Sequence, residues 1–186
     1  MSKNDNLQWL LGAFAARGSE LSESEKKILA DTVLHGTNPQ LPFPSYSVTV
    51  NYNKTVNQLV KDGKYDWVSN NFSDSHFTVN KKGEEQAEIF IVTIDRRMST
   101  EAITKMINDL VIPLRHANAK EELALGAQYP DLQREGPIAA LGSTWRDSDG
   151  GLMAPYLNGD GSYRDLGLID VDGDWYSGWR FACVRK

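Results

Sequence analysis

Residues 136–186 read G-P-I-A-A-L-G-S-T-W-R-D-S-D-G-G-L-M-A-P-Y-L-N-G-D-G-S-Y-R-D-L-G-L-I-D-V-D-G-D-W-Y-S-G-W-R-F-A-C-V-R-K, and this stretch decides the fold class. Its short apolar runs are separated by clusters of Asp, Gly, Asn and Ser. Such clusters mark turns, because Gly supplies positive φ and the Asp and Asn side chains bond the local backbone. The pattern predicts a small antiparallel sheet that carries long polar loops.

One strand and two helices are predicted immediately upstream of that stretch. Residues 88–94 (E-I-F-I-V-T-I) are mostly apolar and β-branched or aromatic, which predicts a strand. Ser99 is placed to cap a helix over 100–110, whose apolar residues share one face. Asn118 is placed to cap a second helix over 119–128, and Tyr129 with Pro130 ends it.

The N-terminal part of the chain predicts two helices, a proline-rich linker and an α+β segment. Apolar residues recur at helical spacing over 6–17, and Ser22 with Glu25 forms a capping box for a helix that ends near residue 36. Prolines in 38–44 disfavour helix there, whereas the residues that follow predict a strand and a short helix. The predicted domains are a helical extension (1–40), an α+β segment packed on the core (41–86) and a C-terminal domain (87–186).

The composition argues against several classes of partner. A formal charge of -5 over 186 residues is unlike the basic patch that neutralises nucleic-acid phosphates. Cys183 is the single cysteine, which rules out an internal disulfide or a multi-thiolate zinc site, and its apolar neighbours predict that it is buried. The apolar run 9–16 is too short to span a bilayer and shows no cleavage site. We therefore expect a cytoplasmic protein with neither a nucleic-acid nor a membrane partner.

Two short motifs carry a resemblance to a known family. Residues 114–123 (L-R-H-A-N-A-K-E-E-L) resemble the R-L-P-T-x-x-E-W segment of formylglycine-generating-enzyme-like domains, although they depart from it at Pro, Thr and the final Trp. Residues 178–185 (G-W-R-F-A-C-V-R) are similar to the closing G-F-R-x-x-R strand of the same family. From residue 87 onward the chain thus resembles the C-type-lectin-like fold, in the branch that also contains the variable proteins of diversity-generating retroelements.

The resemblance implies a specific α+β architecture. It places two helices and a small antiparallel sheet with long loops in the C-terminal half, preceded by an N-terminal helical and α+β extension. The terminal strand would lie beside the strand 88–94, and Arg180 and Arg185 would lie near Glu121 and Glu122. The formylglycine-generating chemistry of the family needs paired cysteines, so a chain with one cysteine cannot carry it over.

Three acidic loops, 147–149, 158–160 and 170–174, invite a calcium interpretation because calcium needs six to eight oxygen ligands. In the third loop, however, Gly173 falls one place early for an EF-hand, and Trp179 stands where the ligating Glu would be. The family's E-P-N and W-N-D calcium motifs are also missing. We therefore predict no metal, no cofactor and no catalytic set, although calcium at these loops stays open.

Binding is the function that the sequence favours. The segment 156–179 combines rigid aromatic residues with small polar ones, as antibody paratopes do. The predicted ligand-binding residues are Tyr156, Asn158, Asp160, Tyr163, Arg164, Asp165, Asp172, Asp174, Trp175, Tyr176 and Trp179. The ligand would be an unknown protein or glycan, and the oligomeric state is left open. In its narrowest form the hypothesis makes the protein a target of a diversity-generating retroelement, with these residues diversified by mutagenesis at adenines.

Two alternatives belong to other functional classes. A hydrolase could use loop carboxylates such as Asp172 and Asp174 as acid and base, if they converge in one pocket. An assembly protein of a phage or mobile element could oligomerise through the N-terminal helices.

Overall fold

A computed structural model describes residues 43–110 and 114–186. The two predicted N-terminal helices and most of the proline-rich linker lie outside these residues. Residues 43–108 and 114–186 form one compact unit. Its helices pack with an extensive sheet.

The first part of the unit contains three strands and a helix, in the order β1 (Ser45–Asn51), α1 (Val56–Gly63), β2 (Trp67–Val68) and β3 (Glu84–Thr93). Helix α1 begins with a capping box in which the Thr55 hydroxyl accepts from the backbone N–H of Gln58 and the Gln58 side chain accepts from the N–H of Thr55. It ends at Lys64, which adopts a left-handed conformation with φ of 51°. The strand and helix predicted for this segment are therefore confirmed, with shifted ends.

The middle of the unit contains β4 (Met98–Ser99), α2 (Thr100–Asn108), β5 (Leu114–His116), α3 (Ala119–Gln128) and a 3₁₀-helix (Leu132–Glu135). The Asn118 side chain caps α3 by accepting from the N–H groups of Lys120 and Glu121, and Tyr129 is its C-cap. The prediction of α3 is confirmed at both ends. Helix α2 begins at the predicted residue, and the Ser99 hydroxyl accepts from the N–H of Ala102 at 3.3 Å.

The last part of the unit consists of strands, namely β6 (Ile138–Ala139), β7 (Trp145–Arg146), β8 (Leu152–Asp160), β9 (Tyr163–Asp170), β10 (Asp174–Trp175) and β11 (Arg180–Arg185). Strand β11 pairs antiparallel with β3, from Arg180 opposite Thr93 to Val184 opposite Ile89. The predicted pairing of the terminal strand with residues 88–94 is confirmed.

The predicted fold class is wrong. Within the described residues the structure has one nine-stranded sheet, whose main path runs β1-β3-β11-β6-β8-β9-β2, with β5 beside β11 and β7 beside β8. The sheet is mixed, because β2 runs parallel to β9 and β6 runs parallel to β11. This large mixed sheet is not the predicted two-helix half with a small antiparallel sheet. The strands β1 and β2, which were assigned to an extension, are integral to the sheet.

The core lies on both faces of the central strands. On one face, Ile89 and Ile91 of β3 join a cluster that also contains Leu59 of α1 and Leu123 of α3. On the opposite face, buried Phe90 and Val92 lie on the side of α2, because side chains alternate along a strand. Helix α2 reaches this side through Thr104, whose hydroxyl is 3.2 Å from His116 Nε2.

The environments of two arginines correct what the resemblance implied. The Arg180 guanidinium donates to the carbonyls of Leu132 and Gly136 and lies 3.3 Å from the Glu135 carboxylate, and Arg185 lies 3.5 Å from the Glu88 carboxylate. The partner of Glu121 is Arg115, through two hydrogen bonds of 2.7 and 2.9 Å. Val184 lies opposite Arg115 in the register of β11 and β5, so Arg185, one residue further along, points to the other side of the sheet from Arg115.

Cys183 is fully buried in β11, as its apolar neighbours predict. Burial raises the pKa of its thiol to about 12. Among the described residues, no helix has the length and apolar character needed to cross a membrane.

Candidate binding face

The hairpin formed by β8 and β9 gathers five of the predicted binding residues on one face. Its register places Asp160 opposite Tyr163, Asn158 opposite Asp165, and Tyr156 opposite Gly167. Residues directly opposite each other in a sheet point to the same side, and so do residues two apart along a strand. The side chains of Tyr156, Asn158, Asp160, Tyr163 and Asp165 therefore share one face, although no motif of the sequence links them.

The other face of the same hairpin is part of the core. Leu157 of β8 lies opposite Leu166 of β9, and both are buried. Arg164 lies between the outward-facing Tyr163 and Asp165, so its side chain points inward and is only 6% exposed. Its guanidinium donates to the carbonyl oxygens of Gly63 (2.7 Å) and Gly126 (2.6 Å) and to Gln133 Oε1 (2.9 Å). Arg164 is therefore an anchor of the hairpin, and we remove it from the predicted binding residues.

Side chains of the 3₁₀-helix bind the backbone of the hairpin. Gln133 Nε2 donates to the carbonyl oxygens of Asn158 and Asp165, one on each strand. Arg134 Nη1 donates to the carbonyl oxygens of Asp160 at 2.8 Å and Gly161 at 2.6 Å. These bonds fix both strands and the turn without using any side chain of the outer face. The outer side chains are thus displayed on a rigid support.

Tyr156 lies across the neighbouring strand. A Cβ added at Gly167 would be 2.3 Å from Tyr156 Cε1, so only glycine lets the ring lie over β9 at this position. The ring also contacts Trp179, at 5.8 Å between centroids. Burial, and secondarily the charge of Asp165, raises the pKa of the Tyr156 hydroxyl.

Trp67, which no pattern in the sequence singles out, completes the surface. It pairs with Asp165 across the parallel strands β2 and β9, which brings its side chain to the same side as Asp165. Trp67 is 49% exposed and Tyr163 is 45% exposed, and large aromatic residues are rarely left so open. We call the six residues Trp67, Tyr156, Asn158, Asp160, Tyr163 and Asp165 the hairpin face. Trp67 lies on β2, the last strand of the main sheet path.

Carboxylates make the hairpin face negative. The pKa of Asp165 is raised, mainly by desolvation and further by the charges of Asp160 and Asp66. Asp165 Oδ1 is buried and has no hydrogen-bond partner. Asp66 lies beside Trp67, and its carboxylate accepts from the backbone N–H of Arg164 at 2.8 Å. Within residues 43–110 and 114–186, none of these three carboxylates forms an ion pair.

The remaining predicted residues lie around β10. Trp175 is buried: its indole N–H donates to the Thr100 hydroxyl at 2.8 Å, and its ring contacts Phe181 and Trp179. Trp175 is therefore a core residue and is removed from the binding set. Asp172, Asp174 and Tyr176 are exposed. Trp179 is half-buried between Trp175 and Tyr156, so it connects the β10 region with the hairpin face.

The acidic loops do not converge on a site. Asp147 Oδ1 accepts from the N–H groups of Asp149 and Gly151, which stabilises its own turn. The Asp174 carboxylate binds the Arg97 guanidinium at 2.6 Å, and Asp172 is exposed on the turn before β10. In the part of the chain that the structure describes, no three His, Cys, Asp or Glu residues come together as metal ligands would. The carboxylate of Asp174 is thus engaged by Arg97, and the hydrolase alternative stays a prediction.

Comparisons with known proteins return no relative: no family model, no curated protein and no solved structure matches the chain. The resemblance drawn from residues 114–123 and 178–185 therefore stays a prediction.

Proposed function

We propose that the protein binds a macromolecular ligand, a protein or a glycan, through the hairpin face. The observation that carries the proposal is the register of β8, β9 and β2, which directs two tyrosines, a tryptophan, an asparagine and two aspartates to one side. Aromatic side chains offer a large contact area with few rotatable bonds, and Asn and Asp add adaptable hydrogen bonds. This composition is that of a recognition surface.

The support beneath the face favours tight binding. Strands position side chains more reproducibly than loops do, and Gln133, Arg134 and Arg164 hold this hairpin from its turn and its inner side. A face that is already ordered loses little conformational entropy when a ligand binds. The hairpin therefore acts as a scaffold, and the outer side chains can change without altering the core.

Screening of defined ligand collections tests the proposal. The full chain would be used to select from a displayed random-peptide library and to probe a glycan array. The double variant Trp67→Ser, Tyr163→Ser should lose the ligands that the wild type selects, because it removes the largest exposed surfaces of the face. Tyr176→Ser is the matched control, since Tyr176 is exposed but its ring already lies against Arg97.

The outcome that contradicts the proposal is equally specific. Ligands retained by the Trp67/Tyr163 variant, while it unfolds at the wild-type temperature, would place binding elsewhere on the chain. Loss of binding in the Tyr176 variant alone would move the site to the β10 region.

The retroelement form of the proposal is narrower and has its own test. Diversification would act on residues such as Tyr156, Asn158 and Asp165, whose exchange leaves the inner face of the hairpin unchanged. We expect a near-copy of the 3′ end of the gene and a reverse-transcriptase gene in the neighbouring DNA. Absence of both would end this form while leaving ligand binding in place.

A further inference from the structure

We infer that the ligand of the hairpin face is a protein segment that presents arginine side chains. The inference rests on the proposed function, and it adds the chemistry of the partner. Two observations carry it: the carboxylates of Asp160 and Asp165 lie opposite the exposed rings of Tyr163 and Trp67 and form no ion pair within the described residues, and a similar pairing elsewhere in the molecule is filled by an arginine of the chain itself.

That second pairing lies between β4 and β10. The Arg97 guanidinium lies over the ring of Tyr176, at 5.6 Å from its centroid, and its Nη2 is 2.6 Å from the Asp174 carboxylate. One guanidinium thus satisfies an exposed aromatic ring and an aspartate at once. A guanidinium suits this role because it is planar, stacks on rings and donates to carboxylates in a fork.

On the hairpin face, aromatic rings also lie beside aspartates, but no arginine among the described residues pairs with those aspartates. Tyr163 faces Asp160 across the turn of the hairpin, and Trp67 faces Asp165 across β2 and β9. Asp165 Oδ1 is buried and receives no hydrogen bond from the described residues, so the chain itself offers little stabilisation to this carboxylate. Two aromatic–aspartate pairs are thus available for two arginines of one segment.

Electrostatics argue against the other macromolecular occupants. A second copy of the chain, with a formal charge of -5, would bring like charges together at this face, and nucleic acid would bring phosphates to it. A neutral glycan can stack on the rings but leaves the carboxylates without a cation. Desolvation raises the pKa of Asp165, and the charges of Asp160 and Asp66 raise it further; a bound cation would offset the repulsion among these carboxylates.

The experiment uses three synthetic peptides as probes: hexaarginine, hexalysine and hexacitrulline, which is the neutral counterpart of hexaarginine. Binding to the full chain would be measured by fluorescence anisotropy at about 0.15 M salt. We expect hexaarginine to bind best, hexalysine about threefold more weakly because it cannot fork or stack, and hexacitrulline not to bind measurably.

Two double variants with the same change in net charge distinguish binding at the hairpin face from nonspecific attraction of a basic peptide to an acidic protein. Asp160→Asn with Asp165→Asn should weaken hexaarginine binding about fivefold, the loss expected when two exposed ion pairs are removed. Asp95→Asn with Asp149→Asn changes two exposed aspartates on other turns and should leave the affinity unchanged within about twofold. Both variants should unfold at the wild-type temperature.

A pH series adds a readout that nonspecific attraction would not reproduce. Because a cation favours the ionised form of Asp165, binding should release a proton, and affinity should rise with pH while Asp165 titrates. Asp165→Asn should flatten that part of the profile.

Equal binding of hexaarginine and hexacitrulline, or equal losses in the two double variants, would overturn the inference. If the ligands from the peptide library or glycan array still depended on Trp67 and Tyr163, the proposed function would stand with a different ligand chemistry. If no ligand depended on those two residues, the proposed function would fail as well.

Discussion

Both faces of the β8–β9 hairpin contain charged residues, but those on the inner face have partners within the chain and those on the outer face form no ion pair within the described residues. On the inner face Arg164 is buried, and its guanidinium is matched by the Gly63 and Gly126 carbonyls and the Gln133 side chain. On the outer face Asp160 and Asp165 have no cationic partner among the described residues. Inner polar groups therefore stabilise the fold, whereas outer ones remain available to a ligand. We therefore expect substitutions on the inner face to lower stability and substitutions on the outer face to lower binding.

Arg164→Met should have the largest effect on stability. The substitution keeps an unbranched side chain but leaves two buried carbonyl oxygens and Gln133 Oε1 without their donor. Each unsatisfied buried group costs about 1–3 kcal/mol, so we expect the free energy of unfolding to fall by about 3 kcal/mol or more. Urea denaturation measures it. Arg96→Met, at an exposed arginine, is the control and should change stability by less than about 0.5 kcal/mol. Equal effects would refute the anchoring role of Arg164.

Leu157→Ala should have the next largest effect. Leu157 lies on the inner face and belongs to the main hydrophobic cluster, with 1% of its surface exposed. Loss of a buried leucine side chain costs about 2–5 kcal/mol through lost burial and the cavity that remains. Thermal unfolding measures the change. Asn158→Ala, the adjacent outward residue, should change stability by less than about 1 kcal/mol. A larger loss at residue 158 would contradict the assignment of the two faces.

Glu122→Gln should stabilise the protein at neutral pH by about 1 kcal/mol or more. Glu122 of α3 is fully buried, neither of its carboxylate oxygens has a hydrogen-bond partner, and desolvation raises its pKa well above the usual value. Its near neighbour is the half-buried Tyr65, whose buried hydroxyl also lacks a partner. In the unfolded chain the carboxyl of Glu122 ionises at about pH 4.3, whereas in the folded protein it stays protonated to a higher pH. The wild type should therefore lose stability as pH rises from the unfolded pKa toward the folded pKa.

The pH dependence of unfolding, measured by urea titrations on the wild type and on Glu122→Gln, checks this sign. The two stability curves should diverge with rising pH, because the glutamine does not ionise. Parallel curves would show that Glu122 is not held protonated in the folded state.

The double variant Trp67→Ser, Tyr163→Ser should have the smallest effect on stability. Both side chains are about half exposed, so each substitution should change the free energy of unfolding by about 0.5 kcal/mol or less. The same variant should lose the library-selected ligands. A large loss of stability would mean that the outer aromatics support the fold, and the contrast between the two faces would disappear.

Local patterns predicted the capped helices well and the sheet poorly. Asn118 and Tyr129 mark the ends of α3 because capping depends on residues close in sequence. The pairing of β2 with β9 joins residues 67 and 165, and no local signal specifies it. The two-residue strand β2 is too short to show alternation, so no local pattern places Trp67 on the outer face. Five of the predicted binding residues do share one face, whereas Arg164 and Trp175 are interior.

By itself, the sequence determined the helix caps, the burial of Cys183 and the strand character of the C-terminal stretch, since each depends on neighbouring residues. Only the tertiary structure decided that β1 and β2 belong to the same sheet, that Arg164 points inward while Tyr163 and Asp165 point outward, and that Trp67 joins them. The physical reason is that side chains alternate along a strand. Which of the two alternating faces is covered depends on partners that are distant in sequence.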